Sequence, residues 1–209
     1  MSLFKAENLE CTRRDNILFQ DINFQLGDGD LLQFDGVNGS GKSSLMQICT
    51  GLMQPTEGAI YWNDESINDC RYEFQRNVCY VGHHNAVKAG LTALENMQVM
   101  HALSGSKDQP DYETILEQVG LPGMEDVSLN RMSAGQQRRI GLTRIFMTRA
   151  KLWLLDEPFN ALDKHGKEII ETLIVQHCRN GGMAIFATHQ AMEIDAYDLK
   201  HIHLGRRHD

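Results

Sequence analysis

Residues 36–43 read Gly-Val-Asn-Gly-Ser-Gly-Lys-Ser, a GxxxxGK[ST] run that follows an apolar strand-like segment and precedes a helical one. Its glycines permit backbone torsions that aim successive N–H groups at phosphate oxygens, and the opening helix adds partial positive charge. Lys42 is placed to neutralise β- and γ-phosphates, and the Ser43 hydroxyl to hold Mg²⁺. The stretch is therefore expected to bind a nucleotide through Gly36, Val37, Asn38, Gly39, Ser40, Gly41, Lys42, Ser43 and Ser44. A second chemical signal is Leu152-Trp153-Leu154-Leu155 running into Asp156-Glu157. An apolar strand ending in adjacent acids is costly unless a cation sits there. Asp156 suits an outer, often water-mediated contact to Mg²⁺, and Glu157 suits a group that polarises an attacking water. A third is Met132-Ser133-Ala134-Gly135-Gln136 at the start of another helix. Ser133, Gly135 and the free N–H groups of that helix make a second anion-binding end. Two such ends in one chain are most simply explained by two chains facing head to tail, each completing the other's site.

The elements that must carry these residues follow from pattern and punctuation. Short strands are expected at 3–9, 17–24 and 31–35, with turns at 13–16 and 27–30. A Gly-rich loop at 36–41 opens a helix running to about 52. Pro-Thr-Glu-Gly at 55–58 is a turn before strands at 59–62 and 78–81. The pattern turns helical over 92–149, broken by the polar stretch Ser104 to Pro110. The fully apolar runs at 152–155 and 183–187 suit parallel strands buried on both faces. The element order predicts an α/β fold in one domain spanning 1–209, with a helical subdomain at about 90–140.

Composition narrows the class. At 209 residues the chain is long enough to bury a core, and its net charge of −8 opposes a general grip on nucleic acid. No apolar run approaches the roughly 18 residues a membrane span needs, and no secretion signal is visible in the first residues. The five cysteines show no CxxC or metal-like spacing and are expected as buried free thiols. The histidines at 201, 203 and 208 are expected in a solvated terminus rather than around a metal.

Together these motifs resemble the nucleotide-binding domain of ABC (ATP-binding cassette) ATPases over nearly the whole chain. Gly36–Ser44 is similar to the Walker A loop. Met132–Gln136 is similar to the LSGGQ signature, with Met for Leu and Ala for one Gly, and Leu152–Glu157 to Walker B with its catalytic glutamate. Asn160-Ala161-Leu162-Asp163 resembles the D-loop, and His189, after the strand at 183–188, the switch histidine. The resemblance implies a P-loop NTPase with a RecA-like mixed sheet core, a short antiparallel β subdomain and a helical subdomain. It also implies ATP and Mg²⁺ as cofactors, contact of His189 with the γ-phosphate, and communication through Asp163 across a homodimer. Lys42, Glu157 and His189 are the expected catalytic groups. Ser133, Gly135 and Gln136 are the expected nucleotide contacts from the signature.

Two departures stand out. The family usually has a Gln after the strand at 78–81, where it senses Mg²⁺ and faces the membrane partner; here His83 occupies that register, either as a metal or water contact or as an ordinary loop histidine. The family also tends to stack adenine on an aromatic near the first strand. Here Arg13 is the nearest residue, either stacking on the base or solvated in its turn. Both departures, with Leu91–Asn96, Ser133–Arg139 and Ala150–Phe159, resemble the ATP-binding subunits of cytochrome c maturation (haem exporter) systems. That resemblance implies a peripheral ATPase on the cytoplasmic face of the bacterial inner membrane. It would pair with itself, with an integral-membrane permease subunit and a haem-handling membrane protein, and indirectly with a periplasmic haem chaperone. Contact with the membrane subunit would fall at 83–91. The output is either haem export or release of the loaded chaperone. The alternative is the ATPase of another small bacterial exporter with different cargo. A soluble ABC ATPase acting on DNA or ribosomes is opposed by the acidic charge. A P-loop kinase or GTPase leaves Ser133–Gln136 unexplained.

Overall fold

The computed structural model describes residues 2–14, 16–84, 86–189, 194 and 197–205. Asp15 of the first turn and His208 of the tail lie outside the described residues. Two sheets organise the chain. The first is antiparallel, in the order β2-β1-β4-β5, from β1 (Leu3–Arg13), β2 (Asn16–Gly27), β4 (Glu57–Trp62) and β5 (Glu65–Ser66). The second is parallel, in the order β6-β7-β8-β3-β9. Its strands are β6 (Val78–Val81), β7 (Leu152–Asp156), β8 (Met183–Ala187), β3 (Leu31–Asp35) and β9 (Leu199–His203). The α/β class and the antiparallel β subdomain are as expected; the mixture of strand directions lies between the two sheets, and the central one is parallel throughout.

β7 and β8 are buried at every position, as a parallel sheet covered on both faces requires. On one side, α1 (Lys42–Cys49) and the antiparallel sheet bring Leu45, Met46, Phe4, Ile60 and Trp62 against it. On the other, the amphipathic α6 (Lys164–Arg179) contributes Ile170, Ile174 and Cys178. A third apolar cluster, built on Met97, Leu116, Leu129 and Ile140, is the core of the helical part. It joins α3 (Ala93–Ser104), α4 (Tyr112–Gln118) and α5 (Ala134–Leu142), with the polar break falling between α3 and α4.

Three expectations need correction. The first helix stops at Cys49 rather than near 52, because Gly51 takes φ +71°. A short helix, α2 (Arg71–Asn77), fills a stretch that carried no helical prediction. The segment with His201 and His203 is exposed, as expected, but it is paired rather than a free terminus: it forms edge strand β9, and His201 Nδ1 lies 2.8 Å from Asp35 Oδ2. All five cysteines are free and buried, as expected.

Register does the positioning. Val81 is level with Leu155, Asp156 with Ala187, and Phe34 with Ala187. The carboxyl ends of β3, β6, β7 and β8 therefore release the Gly36 loop, the Gly82–His83 loop, Glu157 and Thr188–His189 along one edge, the usual ligand-binding edge of a parallel sheet.

Candidate nucleotide site

The loop after β3 wraps the start of α1. Gly36 has φ +147°, and a Cβ there would meet the Leu204 carbonyl oxygen at 2.4 Å, so backbone conformation and close approach both demand glycine. Gly41 caps α1 at φ +101° with no side-chain cap, which leaves the helix N–H groups to face a ligand. Lys42 is buried, and its ammonium donates to the carbonyls of Gly36 at 2.6 Å and Val37 at 3.1 Å, inside the loop expected to cradle the phosphates.

A cleft of about 660 Å³ opens at this edge. Asn38, Gly39, Gly41, Lys42, Ser43 and Ser44 line it from the loop and α1; Arg13, His83, Glu157 and His189 close it from four other segments. Arg13 sits at the end of β1, where its Nη2 approaches the Met53 sulfur at 3.6 Å. Asp156 ends β7 at 2% exposure, and its Oδ1 is buried without a hydrogen-bond partner. Glu157 follows with φ +52°, an uncommon backbone for a residue with a side chain. His189 Nδ1 lies 3.2 Å from Glu157 Oε2; facing an ionised carboxylate, that nitrogen is the donor. The pair joins the two residues expected as base and γ-phosphate contact.

The residues of the third motif are not part of this cleft. Ser133 caps α5: its Oγ accepts from Gln136 N at 3.2 Å, and Gln136 Oε1 accepts from Ser133 N at 2.8 Å. Asp163 caps α6, accepting from Gly166 N at 2.7 Å. Gly135 lies where a Cβ would meet the Ala161 carbonyl oxygen at 2.6 Å. The helix end that was to bind a second phosphate thus sits apart from its own chain's pocket.

A family model described as ABC transporter matches residues 19–160. The chain belongs to the ABC transporter family. Among its relatives is the cytochrome c biogenesis ATP-binding export protein of Aliivibrio fischeri, 41% identical over 97% of this chain and the whole of that protein. The protein of the same name from Pasteurella multocida is 45% identical over 90% of this chain and 89% of its own. Solved structures share the fold. An ATP-binding protein from Pyrococcus furiosus superimposes with a TM-score of 0.83 at 20% identity, covering 97% of both chains. The ATP-binding cassette MJ0796, in a dimer bound to ADP and Pi, does so with 0.77 at 24% identity, covering 90% of this chain and 88% of its own.

As an ABC cassette the chain binds and hydrolyses ATP. Among the described residues no helix is long and apolar enough to cross a membrane. Three residues that shape the pocket carried no expectation. Leu18 and Asn160 line it, Asn160 within the stretch that resembles a D-loop. Arg138, on α5, reaches the loops behind it. Its neighbours in sequence gave no sign of that reach, because its partners lie 18 and 56 residues away.

Proposed function

We propose that this cassette hydrolyses ATP to drive a cytochrome c maturation complex, working as a head-to-tail homodimer at the cytoplasmic face of the inner membrane beneath a permease subunit. The observation that carries the hydrolytic step is the Glu157–His189 pair at 3.2 Å, facing the Lys42 loop across one cleft. Glu157 takes a proton from the attacking water as its oxygen bonds to the γ-phosphorus and the bond to ADP breaks. His189 holds Oε2, so Oε1 is the oxygen that receives the proton. Lys42 and the loop N–H groups balance charge on the phosphates.

The unpartnered, buried Asp156 Oδ1 fits a cation, and Ser43 and His83 line the adjoining cleft. These three residues would hold Mg²⁺, which shields the phosphate oxygens as charge moves onto the leaving group. The position of the α5 N-terminus outside its own chain's pocket supports the head-to-tail pairing, in which Ser133, Gly135 and Gln136 serve the partner's nucleotide.

The named relatives favour the cytochrome c branch over another small exporter. For the membrane contact, the loop from His83 to Leu91 fits: residue 83 lines the pocket, and Lys88 is strapped to α3 by Asn96, which exchanges bonds of 2.7 and 3.0 Å with its backbone. Asn85 within this span lies outside the described residues. The test is to purify tagged Glu157→Gln protein from gently solubilised native membranes, identify its companions and record the haem absorbance. Small membrane subunits with bound haem support the proposal. A haem-free permease of another kind retains the ATPase and rejects the cytochrome c role.

A further inference from the structure

Arg138 lies one turn beyond the start of α5 and is 3% exposed. Its Nη2 donates to the carbonyl of Asp156 at 2.7 Å and to that of Glu157 at 3.0 Å. Its Nη1 donates to the carbonyl of Gly82 at 2.9 Å and lies 3.5 Å from that of His83. The two Nη2 acceptors belong to the peptide planes immediately before and after Glu157. Rotation between those planes is the φ and ψ of Glu157, whose φ of +52° an ordinary side chain holds only when its surroundings impose it. One nitrogen is bonded to both planes, beside the backbone bonds from Glu157 N to the Ala187 carbonyl at 2.9 Å and from Asn160 N to the Glu157 carbonyl at 3.2 Å. The other nitrogen ties the same guanidinium to the loop carrying His83.

We propose that Arg138 is a positioning residue for hydrolysis: its guanidinium holds Glu157 in the backbone conformation that presents the carboxylate to the nucleotide pocket, and fixes that loop to the one bearing His83. The planar fork matters, because its two nitrogens serve two loops at once; a lysine ammonium is a point donor that cannot span both pairs of carbonyls. The same helix begins at Ser133 and packs Gly135 against Ala161, so one rigid element links the partner-facing end, the stretch after β7 and the base of its own chain. The proposal rests on reading Glu157 as the base.

The experiment measures kcat, KM and equilibrium binding of a fluorescent ATP analogue for Arg138→Lys, Arg138→Gln, Glu157→Gln and the Arg138→Gln/Glu157→Gln double variant. The expected result for Arg138→Lys is a fall in kcat of about tenfold or more, with KM and nucleotide affinity held within about threefold. In the double variant the residual rate should stay within about twofold of Glu157→Gln alone, because the arginine acts through that carboxylate. Arg138→Lys with more than about half the normal kcat, beside an inactive Glu157→Gln, overturns the proposal alone. Multiplying losses in the double variant, or loss of nucleotide binding together with hydrolysis in both Arg138 variants, make Arg138 merely structural and also overturn it. Normal turnover by Glu157→Gln removes the base assignment itself, and the proposal with it.

Discussion

In the proposed mechanism Lys42 and Glu157 divide the labour of the pocket between holding and reacting, and their substitutions should separate cleanly. The Lys42 ammonium already sits against the Gly36 and Val37 carbonyls, so the loop is shaped around a cation. Lys42→Ala removes a charge-assisted bond to phosphate worth about 1.5–3 kcal/mol, and a titration should find ATP affinity lower by about ten- to a hundredfold. Glu157→Gln keeps the cradle and loses the proton acceptor. Its ATP affinity should be unchanged while turnover drops by about 10²–10⁴, which a phosphate-release assay reads directly. Both residues were legible in the sequence because their neighbours define them: a GxxxxGK[ST] run and an apolar strand ending in acids are local patterns. The left-handed backbone of Glu157 was not legible, since its flanking peptide planes are bonded by Arg138 and Ala187 from other elements.

Helix α5 carries two faces with different duties. Its first turn holds Ser133 and Gly135 away from the chain's own cleft, and its second places Arg138 behind Glu157. Ser133→Arg puts a long cation on the partner-facing end. Hydrolysis should be abolished with ATP affinity of the isolated chain intact, and undiminished hydrolysis would argue against the head-to-tail pair. Gly135→Ala forces a methyl to 2.6 Å from the Ala161 carbonyl oxygen, where backbone must shift. Overpacking of this kind costs about 1–3 kcal/mol, so the urea midpoint should fall, together with ATPase activity. The helix start was legible at Met132–Gln136; the reciprocal cap between Ser133 and Gln136 is what the structure adds. Strand β9 had no such announcement. Its residues are mostly exposed or half-buried, and pairing to β3 rather than any alternation of its own makes it a strand.

The molecule as a whole should lose stability on the acid side, and His177 is one identifiable cause. Its ring stacks on Trp153 at 3.7 Å between centroids, and Nε2 lies 3.1 Å from the Lys151 carbonyl oxygen. Burial pushes its pKa from 6.5 down to about 4. Between those values the unfolded chain binds a proton that the folded chain refuses, so stability is full above about 6.5 and declines as pH falls toward 4. The loss is at most about 3 kcal/mol, reduced by the ring's partial exposure. Urea unfolding at pH 7 and pH 5 should show a smaller drop for His177→Phe, which keeps the aromatic stack and removes the titration. The same slope in both proteins would place the acid sensitivity elsewhere.

By itself the sequence determined the motifs and the class: a GxxxxGK[ST] loop, an apolar strand ending in Asp156-Glu157, and buried parallel strands to carry them. Those features are local, set by turn residues, caps and hydrophobic period within a few neighbours. The tertiary structure alone decided what meets what. Placing β8 between β7 and β3, in parallel register, brings Glu157, His189 and the Lys42 loop to one edge from three distant stretches of chain. It also sends Ser133 and Gly135 away from that edge and aims Arg138 at the carbonyls on either side of Glu157. Such pairings depend on strand order and on the reach of Arg138 from α5 to the ends of β6 and β7, and no spacing within a single segment encodes them.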